Sequence, residues 1–416
     1  MTGATPPRGG VRPQDGVGPR LVHVTTTDIS LELLLGPQLS AFVTAGYEVI
    51  AMSAPGPFVA AVERRGVRHV PLEHATRSMD PRADLRTLGE LVRSFRQLRA
   101  DIVHTHNPKP GVYGRLAARA AGVPVVVNTV HGLYALPEDP WKKRMAVYGL
   151  ERLATACSDA ELVQNPEDMD TLERSLHVPR QRLTLLGNGI DLDRFGASAD
   201  HADRTERSEL RTSTRRELGL DDDAVVVGAV GRLVLEKGYE ELFEAWRGVS
   251  ALHPRAVLLV VGPTDDAKSD AVGPEVIERA RRQGVRFLGM RDDVEHLYRA
   301  MDLYVLASHR EGFPRSAMEA AAAGLPIVAT DIRGCRQVVD HDTTGLLVPV
   351  RSADRLGAAL DMLISDPERR RRMSNAAVER SRLHFDQRQV IDITLETYRR
   401  LLSARRGRVA RARRRT

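Results

Sequence analysis

Two glutamates, Glu311 and Glu319, bracket the loop-like "GFPRS" and run into an alanine-rich stretch, "AMEAAAAG". Glu311 follows the apolar run "LYVLAS", and Gly312 and Pro314 force a turn before the next helix. A carboxylate beside the unbonded N–H groups of a helix N-terminus suits a polyhydroxylated ligand, whose vicinal hydroxyls it can accept from. Glu319, further along the helix, could serve a second pair of hydroxyls such as a ribose diol. It also fits, with Ser316, the S-x-x-E capping box, in which each side chain satisfies a backbone N–H. The cap explains Glu319 and leaves Glu311 without a structural task.

The second constellation is "GRLVLEKG", residues 231–238. Gly231 lets a backbone approach a ligand, and Arg232 and Lys237 place two cations in a loop ahead of a helix. Cations with exposed N–H groups at a helix start suit a diphosphate. For this segment in isolation, two surface cations flanking a loop is the alternative. Neither G-x-x-x-x-G-K-[ST] nor a G-x-G-x-x-G after the first strand is present, so a Walker loop and a dinucleotide fingerprint are not expected. The third group is histidine-rich. His131 follows the apolar run "PVVVN", and His104, His106 and Lys109 lie in "HTHNPKPG". Histidines at strand ends serve as ligands or proton carriers, and also as plain polar surface. Metal binding by His104 and His106, which share a strand face, lacks a cysteine or carboxylate partner nearby in sequence.

The elements that must position these residues alternate. Apolar strand patterns at 20–26, 47–53, 67–72, 101–106, 124–132, 160–165 and 183–190 are separated by helical patterns at 33–46, 58–66, 83–100, 111–122 and 142–157. Residues 196–223 are polar and read as a linker or insertion. Strand patterns then resume at 224–231, 256–262, 285–289, 302–308, 326–330, 335–339 and 344–350, with helices between them. Near-continuous apolar strands alternating with helices indicate doubly wound parallel sheets, which bind ligands at the carboxyl ends of their strands. The expected organisation is a disordered leader (1–19), an N-terminal Rossmann-like domain (20–195), the linker (196–223), a C-terminal Rossmann-like domain (224–385), a helix (386–403) and a basic tail (404–416). Two such domains would face each other across a cleft.

Composition narrows the class. The chain has 416 residues, 42% of them apolar, and no apolar run long enough to span a membrane. The N-terminal stretch has no hydrophobic core of a signal peptide, and two cysteines, Cys157 and Cys335, make no disulfide framework. A cytoplasmic location is expected. The net charge of +6 is outweighed by the nine arginines from Arg399 onward, so the body of the chain is mildly acidic. No nucleic-acid partner is expected. The arginine-rich tail and the segment 141–154, with Trp141 and three cations, raise the prospect of contact with an anionic membrane surface on its cytoplasmic side. An ordinary packed helix and a solvated terminus are the alternatives.

Together these motifs resemble the retaining glycosyltransferases of family 4, which have the GT-B fold of two Rossmann-like α/β domains. The resemblance runs from about residue 20 to 403 and rests on the order of "GRLVLEKG", "LLVVGP", "FLGMRDDV", "LYVLASHREGFPRSAMEAAAAGLPIVATDIRGCRQVV" and "TTGLLVP". The N-terminal half looks like the branch that builds capsule and O-antigen polysaccharides. The resemblance implies transfer of a hexosyl or N-acetylhexosaminyl group from a nucleotide-sugar, UDP-linked, to a lipid-linked or glycan acceptor, without metal or other cofactor. It assigns Arg232 and Lys237, with Gly231, to the donor diphosphate, and Glu311 with the backbone of Gly312 and Phe313 to the sugar. Glu319 takes the ribose, Gly289, Met290 and Arg291 the base, and His131 a place near the anomeric carbon. His106 and Lys109 fall on the acceptor side. The competing readings are a sugar-nucleotide epimerase on the same fold, a non-catalytic nucleotide-sugar-binding protein, and a transferase acting on a small-molecule metabolite.

Overall fold

The computed structural model describes residues 18–75, 80–106, 108–135, 139–196, 201–264 and 270–413. Residues 1–17 of the expected leader and 414–416 of the basic tail lie outside them. The chain divides into two compact units, Met1–Gly187 with Arg388–Thr416, and Asn188–Gln387.

The first unit holds seven strands: β1 (Arg20–Thr27), β2 (Glu48–Ala54), β3 (Arg68–Pro71), β4 (Ile102–His106), β5 (Val125–Val130), β6 (Ala160–Val163) and β7 (Leu183–Leu185). All pair in parallel, in the order β3-β2-β1-β4-β5-β6-β7. The order reverses between β1 and β4, which leaves a crevice beyond their carboxyl ends. One face of the sheet is covered by the C-terminal helix, Gln387–Arg413, through Val390, Leu395, Tyr398 and Leu402. Burying each such side chain stabilises the unit by about 2 kcal/mol. The helix continues ten residues past the expected end at 403, because arginine and alanine propagate a helix well.

The second unit repeats the plan with β8 (Val226–Val230), β9 (Val257–Val261), β10 (Arg286–Gly289), β11 (Leu303–Leu306), β12 (Ile327–Thr330) and β13 (Gly345–Val348). Its parallel order is β10-β9-β8-β11-β12-β13, so the crevice lies beyond β8 and β11. The boundary between units falls at Gly187 rather than after 195. Ile190 bridges to Asp386, and Phe195 packs into the core of the second unit beside Tyr298.

Three expectations need correction. "CRQVV" is not a strand: Arg333–Val338 is a helix, with buried Gly334 set against the backbone of Glu311. The helix Pro367–His384 has no counterpart in the sequence reading, because it buries few side chains and its apolar stripe is faint. The supposed linker contains a helix, His201–Glu217. It docks by polar contacts, which explains its missing apolar stripe. Arg211 donates to the carbonyls of Arg299 and Met301, and Arg215 to that of Ala300, which are acceptors at the end of the helix Val294–Ala300. Both arginines also pair with Asp302, at 2.7 and 3.0 Å. Arg215→Ala should therefore destabilise the protein by about 3 kcal/mol, as loss of one member of a buried charge network does. Urea unfolding measures this, and an unchanged midpoint would mean the segment is only a linker.

Candidate active site

In the second unit, glycines bring the two loops at the crevice together. Gly238 has φ +68°, and a Cβ there would stand 2.0 Å from the carbonyl oxygen of Ala307, just past β11. Gly262, with φ +145°, lies equally close to the carbonyl of Gly231. No other residue fits either position. Gly231 is held from both sides: its N–H donates to Val261, and its carbonyl accepts from the Tyr239 hydroxyl at 2.9 Å.

The close approach delivers Lys237 to Glu311. Lys237 Nζ lies 2.5 Å from Glu311 Oε1, and the Ser308 hydroxyl donates to the same oxygen at 2.8 Å. Both bonds fall on Oε1. The loop that carries Glu311 is fixed further by Thr330, whose hydroxyl donates to the Ser308 carbonyl, and by Asn188, which donates to the carbonyl of Phe313. Arg232, one residue beyond Gly231, is exposed.

Glu319 does not form the capping box. The N-cap of its helix, Arg315–Ala322, is Pro314, with no side-chain cap bond. Ser316 instead accepts from Tyr304, and Glu319 Oε2 accepts from the Tyr298 hydroxyl at 3.1 Å. Burial raises the Glu319 pKa, opposed by the charge of Arg315 and the Tyr298 bond. At the end of β10, Gly289 has φ +67° and Met290 is 61% exposed. Arg291 is committed to Asp293 through two bonds of 2.7 and 2.6 Å, so its guanidinium is already paired.

The first unit collects histidines. His23 on β1 stands opposite His104 on β4, and His106 lies two residues on, on the same face. His106 stands opposite Thr129, and His131 is two residues beyond that, again on the same side. Ring nitrogens link them: His23 Nδ1 to His106 Nε2 at 2.9 Å, and His106 Nδ1 to His131 Nε2 at 3.1 Å. His104 bonds separately to Tyr398 and Thr129. Burial drives the pKa of His23 down to about 3 and that of His131 down to about 4, and lowers His104 and His106 strongly, so the row is neutral. One expectation changes here. His106 is buried and both its nitrogens are spent on neighbouring histidines, so it is not an acceptor-side contact. Lys109 is held by Asp84 at 2.6 Å, beside a narrow cavity also lined by Thr25, Thr26 and Tyr113. The missed third histidine, His23, was marked in the sequence as a titratable residue inside an apolar strand. His23, His104 and His106 bring nitrogens within 4.8 Å of one another. Yet the rings of His104 and His106 stack at 4.2 Å, so their in-plane lone pairs do not converge on one point.

The family is set by comparison with known proteins. Residues 211–380 match the family described as Glycosyl transferases group 1, and residues 38–194 match Glycosyltransferase Family 4. The UDP-Gal:alpha-D-GlcNAc-diphosphoundecaprenol alpha-1,3-galactosyltransferase of Escherichia coli is 31% identical over 68% of this chain and 71% of its own length. The chain belongs to glycosyltransferase family 4. It is a nucleotide-sugar-dependent glycosyltransferase. A D-inositol 3-phosphate glycosyltransferase of Saccharomonospora viridis is 30% identical over 74% of this chain and 72% of its own. The sucrose-phosphate synthase of Thermosynechococcus elongatus has the same fold, with TM-score 0.76 and 23% identity over 93% of this chain and 100% of that one. The two parallel sheets of this glycosyltransferase are those of the GT-B fold.

Glu319 yields a test. Its folded pKa is raised above the unfolded value, so its contribution to stability is lost as pH climbs from the unfolded to the folded pKa. Glu319→Gln should therefore be more stable than the wild type at neutral pH, by about 1 kcal/mol or a few degrees in Tm. The two proteins should converge toward pH 4, and the variant should bind donor less tightly. Thermal melts across pH 4–8 with donor KM at pH 7 check both halves.

Proposed function

We propose that the enzyme transfers a sugar, with retention of anomeric configuration, from a UDP-sugar to an undecaprenyl-diphosphate-linked saccharide. The Lys237–Glu311 pair at the crevice of the second sheet carries this reading. In it the second unit takes the donor and the first takes the acceptor. A lysine has three donors, and one bond to Glu311 leaves two for a diphosphate. With Arg232 it stabilises the charge that grows on the leaving diphosphate. Glu311 accepts from the sugar hydroxyls, the N–H groups of Gly312 and Phe313 contact the sugar, and Glu319 accepts from the ribose. The base rests against Gly289, Met290 and the backbone of Arg291. In the transfer step the anomeric carbon–phosphate oxygen bond breaks. The acceptor oxygen bonds the same face, and its proton passes to the departing phosphate oxygen.

The lipid-linked acceptor is supported by the Escherichia coli relative, whose acceptor is alpha-D-GlcNAc-diphosphoundecaprenol. The helix Trp141–Thr155 supports it independently. Trp141 is 65% and Met145 64% exposed, Leu150 and Leu153 are more than half exposed, and Lys142, Lys143 and Arg144 lie among them. Apolar side chains among cations suit the headgroup region of an anionic bilayer. Arg405, on the basic end of the C-terminal helix, lies 3.5 Å from Asp159, close after the same helix. Among the described residues no helix is long and apolar enough to cross a membrane; in this reading the contact is peripheral, at the cytoplasmic face. The inositol-phosphate relative supports a second reading, a small phosphorylated polyol as acceptor.

Turnover decides between them. The enzyme, offered UDP-, GDP- and dTDP-sugars with undecaprenyl-diphosphate-linked GlcNAc or with inositol phosphate, should extend only the lipid-linked acceptor, read by mass spectrometry. Glu311→Ala should lower kcat by about 10²–10³ while the fold is kept. Full activity of that variant would remove the site assignment, and transfer only to inositol phosphate would replace the acceptor. For the membrane, Trp141→Ser with Met145→Ser should abolish co-sedimentation with vesicles of anionic phospholipid; undiminished binding would exclude this helix.

A further inference from the structure

We infer that His106 is a positioning residue that fixes the tautomer of His131, through a one-directional chain of hydrogen bonds beginning at His23. The inference rests on the proposed function, in which the first unit takes the acceptor. Its consequence is that the His131 ring carries its proton on Nδ1 and, with Nε2 accepting from His106, does not act as a base.

The protons on the three rings order the chain. A neutral imidazole has one N–H and one lone pair, and each link in the chain needs one of each. Three rings joined by two links can be ordered in two ways. In the first, protons point inward: His131 donates to His106 and His106 to His23. The His23 proton then sits on Nε2, which is buried and has no partner among the described residues. A buried N–H without an acceptor is the costlier kind of orphan, and such groups are rare. In the second order, protons point outward. His23 Nδ1–H donates to His106 Nε2, and His106 Nδ1–H donates to His131 Nε2. The orphan at His23 Nε2 is then only a lone pair. With its Nε2 accepting, His131 must carry its proton on Nδ1.

Protonation does not disturb the ordering, because burial keeps all three rings neutral at physiological pH. His104 does not join the chain. Its Nδ1 is bonded to the Tyr398 hydroxyl and its Nε2 to the Thr129 hydroxyl. A free neutral histidine favours the Nε2–H form. Three consecutive rings in the other form would therefore reflect the chain alone.

The test reads tautomers directly. Two-bond ¹H–¹⁵N correlation spectra of the full-length protein labelled in histidine, assigned with single variants, should show Nδ1–H at His23, His106 and His131. An Nε2–H form at any of the three in the wild type overturns the inference. His106→Leu removes the donor to His131, and an Nε2–H population should appear at His131. Its kcat should fall about 10- to 100-fold with donor KM within about threefold. His106→Gln, whose amide can still donate to His131 Nε2, should retain the Nδ1–H form and most of the rate. Equal losses in the Leu and Gln variants would mean that His106 acts only as packing. Transfer by His131→Ala separates the two claims. Full activity there, with the wild-type tautomers as expected, would remove His131 from the site and leave the chain standing.

Discussion

The contact between Gly238 and the end of β11 is the constraint on which the candidate site depends. The loop after β8 passes so close to the Ala307 carbonyl that a methyl group at residue 238 could not be accommodated. That approach brings a lysine and a glutamate, 74 residues apart in sequence, to 2.5 Å. The pair cannot be the cause of the approach. In a largely buried ion pair the desolvation of both groups offsets much of the attraction, whereas the backbone geometry follows from glycine at two positions and from the parallel pairing of β8 with β11. The scaffold presents the charges, and the charges are left for a ligand to use.

The two crevices manage polarity in opposite ways. Around Lys237 and Glu311 the groups are charged and largely buried, and the neighbouring hydroxyls and amides keep the glutamate in place. Around His106 the groups are neutral and buried. There burial lowers every histidine pKa, His23, His106 and His131 are bonded to one another, and His104 is bonded to Tyr398 and Thr129. A site that must stabilise charge on a diphosphate benefits from the first arrangement. A site that must present one hydrogen bond of fixed direction benefits from the second.

Much of this was legible in the sequence where the signal is local. "GRLVLEKG" and "HREGFPRS" carry their glycines and charges in contiguous loops, and apolar strands in alternation with helices gave the two parallel sheets. What could not be read there depends on register or on polar docking. His23 meets His106 only because β1 and β4 pair with His23 opposite His104. The helix His201–Glu217 has no apolar stripe because arginines bind it to carbonyls at another helix's end. Ser316 and Glu319 have cap-box spacing, but the hydroxyls of Tyr304 and Tyr298, from distant segments, claim them. Local patterns name candidates, and tertiary partners decide which bonds form.

The C-terminal helix shows how one element can serve packing and polarity together. Its apolar residues cover a face of the first sheet, and that face includes the histidine row. Covering histidines with an apolar helix alone would strand His104 Nδ1 without a partner, at a cost of about 1–3 kcal/mol. Tyr398 removes that cost by placing a hydroxyl among the covering side chains. Its ring also packs on Phe42, which in turn stacks on His23. The order of the histidine row therefore depends on a segment that rejoins the first unit only after the whole second unit has been traversed. Past Leu402 no described residue of this helix is buried, and the remaining turns carry arginine. Among the described residues the packed part of the helix thus ends at Leu402.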